Sequence, residues 1–114
     1  MITREEFEDL VGRAIDLVPE DFADALEEIA ITVEDRAPAH MGRLYGLYQG
    51  VPRSRPEGFG WMELPPRISI YMEPLVRDFP RPDDLVEQVR ITVLHEIGHH
   101  LGMDEDQLRE LGYG

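Results

Sequence analysis

The stretch His95-Glu96-Ile97-Gly98-His99-His100-Leu101-Gly102 decides how the rest of the chain is read. Its first five residues form the pattern H-E-x-x-H. On an α-helix, positions i and i+4 lie about 40° apart around the axis and one turn along it, so both imidazoles can reach one ion. Glu96 projects from the neighbouring side, where its carboxylate can hydrogen-bond a water held by that ion. The spacing has this meaning only in a helix, and the flanks predict one. Pro80 and Pro82 precede Asp83 and Asp84, which are N-cap candidates, and Asp84 with Glu87 has capping-box spacing. Val86, Val89, Val93 and Ile97 follow at helical intervals within about 80° of arc. His95 and His99 fall on the side opposite that stripe, and Gly102 supplies a left-handed stop. His100 points about 100° away from His99, so it is expected at the surface or behind the site and not on the same ion.

A catalytic zinc takes three protein ligands and keeps one position open, so a third ligand is expected nearby. The next residues are Met103-Asp104-Glu105-Asp106-Gln107-Leu108. Asp104 with Gln107 has capping-box spacing for a short last helix carrying Leu108 and Leu111, which would turn the Asp104 carboxylate toward backbone N–H groups. Asp106 falls in the first turn of that helix, where the dipole alone favours a negative charge.

Continued through Gly102, the motif resembles the zincin metallopeptidases. Their patterns H-E-x-x-H-x-x-G-x-x-H and H-E-x-x-H-x-x-G-x-x-D turn the chain at the Gly and swing a third ligand back onto the zinc. The resemblance places that ligand at Glu105, ahead of Asp106 and Asp104, although the chain has Glu where the family has His or Asp. Glu is an acceptable zinc ligand. Segments 44–52 and 64–71 also look like those of small bacterial zinc metallopeptidases of minimal zincin type, so the likeness spans about residues 30–112. It implies an α/β (α+β) fold with N-terminal helices, a small three- to four-stranded sheet, the long HExxH helix and a short C-terminal helix. It further implies Zn2+ on His95, His99 and Glu105, with Glu96 as general base and a peptide or protein as substrate. Peptide-bond hydrolysis would then run through a zinc-bound water. Two other readings fit the same motif: a zincin-like binding module with a metal site but no protease activity, and a closed structural metal site.

Composition narrows the choice. A chain of 114 residues fits one domain, 1–114, with one modest core. It has no Cys, so disulfides and thiolate metal sites are excluded. The net charge of −13 argues against nucleic-acid binding, which leaves a basic footprint. All 11 basic residues are Arg. Acids crowd residues 1–36 and 83–114, a pattern that is usually just solvating and otherwise suits cationic peptides. No apolar run is long enough to span a bilayer. The N-terminus lacks the basic-then-apolar layout of a secretory signal, so a cytoplasmic bacterial protein is expected. The oligomeric state is not legible in the sequence.

Along the chain, Thr3 and Glu6 have capping-box spacing for a first helix whose stripe is Phe7, Leu10, Val11, Ala14, Ile15 and Val18, ended by Pro19. Residues 20–26 read as a second short helix. From Ile29 to Val33 the period changes to two, which predicts a strand. Residues 44–48 are a second strand candidate, and Ile68, Ile70 and Met72 alternate with Ser69, Tyr71 and Glu73 as a third. By resemblance, that third strand would line the cleft from a sheet edge, with a plain core strand as the equal alternative. Residues 50–66 are rich in Gly and Pro and read as a long loop, with Phe59 and Trp61 as core or cleft residues. His40 is expected to be exposed, with a remote ligand or proton-donor role as the alternative. Tyr45, Tyr48, Tyr71 and Tyr113 are candidate stabilisers of an oxyanion.

Overall fold

The computed structural model describes residues 2–50 and 65–113. The elements in chain order are α1 (Arg4–Asp16), α2 (Glu20–Leu26), β1 (Ala30–Glu34), a 3-10 turn (Ala39–Met41), β2 (Gly46–Gln49), β3 (Arg67–Tyr71), α3 (Met72–Asp78), α4 (Pro82–His100) and α5 (Glu105–Glu110). The result is the α+β arrangement expected, with a three-stranded sheet of order β1-β3-β2 among the described residues. β1 pairs parallel to β3, with Ile31 opposite Ile68 and Val33 opposite Ile70. β2 pairs antiparallel to β3, with Gly46 opposite Ile70 and Tyr48 opposite Ile68. No helix among the described residues is long and apolar enough to cross a membrane.

Local chemistry explains the ends of the helices. Thr3 and Glu6 form a reciprocal capping box at the start of α1, through Glu6 N to Thr3 Oγ1 and Thr3 N to Glu6 Oε1, both 3.1 Å. Arg4 then ties α1 to the end of β1 by donating to the Val33 carbonyl at 2.6 Å and to Asp35 at 2.7 Å. Phe7, Leu10, Val11 and Ala14 bury the apolar face of α1. They share one core with Val86, Val89, Val93 and Ile97 of α4 and with Ile68 and Ile70 of β3. Each of the larger side chains contributes about 1.5–3 kcal/mol when fully buried.

Three expectations need correction. Asp83 and Asp84 do not cap α4. Arg81 occupies the N-cap, Pro82 begins the helix, and both acids lie in its first turn. Pro fits there because its missing N–H would have had no helical partner, and the acids still favour the dipole. The third strand stops at Tyr71, and Met72 starts a helix with Pro74 in its first turn, where a missing N–H is tolerated. That strand is central, paired on both sides, so the edge reading gives way to the core-strand one, and among the described residues β2 stands at a sheet edge against α4. Of the stretch 50–66 read as a loop, residues 51–64, with Phe59 and Trp61, lie outside the described residues.

The core position of α4 also goes beyond a one-sided stripe. Leu85, Leu94, Thr92, Glu96, Gly98 and His100 are buried as well as the Val86–Ile97 face. α1, α2, α3, β2 and β3 all pack on this helix, so it forms the centre of the molecule and carries the site through it.

Candidate metal centre

α4 ends at Gly102, whose φ is +85°, a conformation that Gly adopts without the Cβ penalty. Gly102 N donates to the His99 carbonyl at 3.0 Å and Met103 N to the Gly98 carbonyl at 2.8 Å. This paired bonding is the Schellman arrangement, and it reverses the chain just after the histidines. Asp104 then caps α5, with Gln107 N to Asp104 Oδ1 and Asp104 N to Gln107 Oε1, both 2.8 Å. The capping box expected from the sequence is therefore present, and it occupies the Asp104 carboxylate. Asp106 turns to Arg109.

Glu105 turns the other way. Its Oε1 lies 3.0 Å from His99 Nε2 and 3.4 Å from His95 Nε2. The two Nε2 atoms are 3.2 Å apart. Three electron-pair donors thus converge on one point. Bonds of about 2.0–2.1 Å at tetrahedral angles would separate zinc ligands by about 3.3–3.4 Å, so the triangle has the size a small divalent cation requires. His95 Nδ1 is 2.8 Å from the Tyr113 carbonyl, which can only accept, so that contact calls for the proton on Nδ1, and Nε2 is the nitrogen facing the cluster.

Glu96 stands beside this triangle. Its Oε2 is 4.0 Å from His95 Nε2, while Oε1 accepts the Tyr48 backbone N–H at 2.8 Å. The residue is 8% exposed. Burial pushes its pKa above the ordinary carboxylate value, with Glu105 adding to the rise, against the lowering pull of His95, His99 and the Tyr48 N–H. His95, Glu96 and His99 form the group of side chains that could hold a metal ion. His95 and Glu96 line a cleft of about 310 Å³ whose other wall includes Arg43, Leu44, Tyr45 and Gly46 leading into β2, with Tyr113 alongside.

Several other sequence candidates are engaged differently. His40 is exposed on the 3-10 turn, away from the histidine pair. Tyr45 donates its hydroxyl to Asp78 at 2.5 Å, and Tyr71 is buried in the core. His100 is not a surface residue: it is 4% exposed, with Nδ1 2.7 Å from the Tyr48 hydroxyl and Nε2 3.0 Å from Glu28. The Glu28 carboxylate can only accept, so His100 Nε2 donates to it, and the Tyr48 hydroxyl is the partner of Nδ1. This chain of bonds ties the end of α2 to α4 and to β2.

Some participants had no residue-type signal. The Tyr48 N–H and the Tyr113 carbonyl are backbone groups that almost any residue would supply. Two glycines gave a partial signal. A Cβ on Gly98 would lie 2.2 Å from Leu108 Cδ2, and one on Gly46 would lie 2.7 Å from Thr92 Cγ2. Bare backbone at Gly98 lets α5 approach α4, and bare backbone at Gly46 lets β2 approach it. A Gly inside a helical pattern hints at such close packing.

The zincin-like metallopeptidase family matches residues 15–114, and the chain belongs to it. No curated protein matches the chain. A solved structure of a conserved hypothetical protein from Thermus thermophilus is similar at 31% identity and a TM-score of 0.57. The match covers 88% of this chain and 94% of that one.

Proposed function

We propose that the protein is a zinc-dependent peptide hydrolase, with His95, His99 and Glu105 holding the ion and Glu96 acting as general base. The observation that carries this reading is the 3.0–3.4 Å triangle of His95 Nε2, His99 Nε2 and Glu105 Oε1 beside a buried, cleft-lining Glu96. Zinc bound there would supply Lewis acidity, lowering the pKa of water and polarising a carbonyl. Glu96 takes the proton of the attacking water and delivers it to the leaving amine. Its raised pKa suits both halves of that task, because a base poised nearer neutrality also gives the proton back readily. The Tyr48 N–H holds one carboxylate oxygen and leaves the other free to turn to the cleft. Residues 43–46, which lead into β2, line the cleft opposite His95 and Glu96, where an extended peptide would lie.

The open cleft at His95 and Glu96 favours this reading over a closed structural site, which would surround the ion with four protein ligands. The test is a broad peptide library with the zinc-loaded protein. The wild type should cleave, a chelator should stop it, and Glu96→Gln should keep zinc but lose turnover. A zinc-loaded wild type that cleaves nothing would identify a zincin-like binding module instead, and an active Glu96→Gln would remove Glu96 from its role.

A further inference from the structure

The turn after α5 reaches back into the site. Gly112, with φ +86°, ends α5 as Gly102 ends α4: Gly112 N donates to the Arg109 carbonyl at 3.0 Å and Tyr113 N to the Leu108 carbonyl at 2.9 Å. That reversal aims the Tyr113 carbonyl at His95 Nδ1, 2.8 Å away. The Tyr113 ring packs edge-on against Phe22 of α2, with centroids 6.1 Å apart, and fully buried Leu108 seats α5 on Gly98. The carbonyl is therefore held from three sides.

We propose that the Gly112-Tyr113 turn is a positioning element of the metal centre: its carbonyl fixes His95 as the Nδ1–H tautomer, with Nε2 bare and aimed at the ion. This deepens the metal reading and rests on it for its purpose. A ring free to exchange tautomers would present a protonated Nε2 to the cluster part of the time, and each such state must be reversed before a cation binds. Outer hydrogen-bond partners of this kind fix ring orientation and raise ligand basicity. The coupling is reciprocal, so a cation on His95 should in turn hold the turn in place.

Gly112 gives a clean way to disturb it. A Cβ there meets nothing within 4 Å, so a substitution acts chiefly through the positive φ. Gly42, with φ +74° and equally open space, provides the matched control in the turn after the 3-10 segment, on a different element from His95. The experiment reads imidazole 15N shifts of His95 in the metal-free wild type, Gly112→Val and Gly42→Val, followed by zinc titration of all three. Nδ1–H should dominate in the wild type and in Gly42→Val. In Gly112→Val the ring should show mixed tautomers, with zinc affinity lower by about 10–100-fold. Zinc should also slow hydrogen exchange of the wild-type Tyr113 amide. A wild-type His95 protonated on Nε2 overturns the proposal whether or not zinc binds, as does a Gly112→Val variant with unchanged tautomer and affinity. A wild type that binds no zinc, yet shows Nδ1–H that Gly112→Val abolishes, supports the orienting role and overturns the metal reading alone.

Discussion

Glu96 sits where an ionised carboxylate costs stability. Its pKa in the fold is raised above the ordinary 4.5, chiefly by burial. A group with a raised folded pKa contributes stability below its unfolded value and loses it as pH rises through the folded one. The metal-free protein should therefore weaken as pH climbs through that window, because the unfolded chain releases the proton first. Glu96→Gln keeps an oxygen for the Tyr48 N–H and has no charge to desolvate. It should melt higher than the wild type at pH 7, with the gap closing near pH 4; an equal gap at both pH values would contradict the burial argument. His95→Ala should lose bound metal, checked by atomic absorption, since two ligands remain of three. The H-E-x-x-H identity was legible because its residues are four apart on one element. The third oxygen proposed here, that of Glu105, was singled out only with the resemblance, because Asp104, Glu105 and Asp106 share charge and neighbourhood. Their capping and pairing bonds are what separate them: Asp104 to Gln107 N and Asp106 to Arg109.

At the scale of elements, two glycines set distances that side chains would spoil. Gly98→Ala puts a methyl 2.2 Å from Leu108 Cδ2, so α5 or Leu108 must move. Overpacking of this kind costs about 1–3 kcal/mol. A chemical denaturation series should show that loss together with weaker zinc binding, because Glu105 travels with α5. Undiminished zinc affinity in a destabilised Gly98→Ala would mean that Glu105 is not tied to the position of α5. Tyr48→Phe removes the hydroxyl bonded to buried His100 Nδ1 and leaves that nitrogen without this bond, at a cost of about 1–3 kcal/mol. Chemical denaturation checks it, and an unchanged midpoint would mean that the bond adds no net stability. Helix α1, its capping box and the α5 capping box were readable because their signals lie within a few residues. The Arg81 cap, α3 and the Glu28–His100–Tyr48 chain were not. His100 meets partners 72 and 52 positions away, and no local pattern records such distances. The central place of β3 likewise follows from sheet order, which periodicity does not encode.

For the whole molecule, the site joins parts of the chain that are otherwise separate. α4 supplies two imidazoles, α5 a carboxylate, β2 a backbone N–H and the last turn a carbonyl. A cation that binds only the folded state stabilises it by about 2.7 kcal/mol at a hundredfold excess over Kd. Zinc should therefore raise the melting temperature in a concentration-dependent way, and a chelator should reverse it. Acid should weaken that effect as the imidazoles take protons in place of the ion. The most direct measurement is a crystal structure of the zinc-loaded protein with data collected at the zinc absorption edge. A single anomalous peak bonded to His95 Nε2, His99 Nε2 and a Glu105 oxygen, with Glu96 outside the ligand set, is the expected result. No peak between the two rings, or a peak held by other residues, would contradict it.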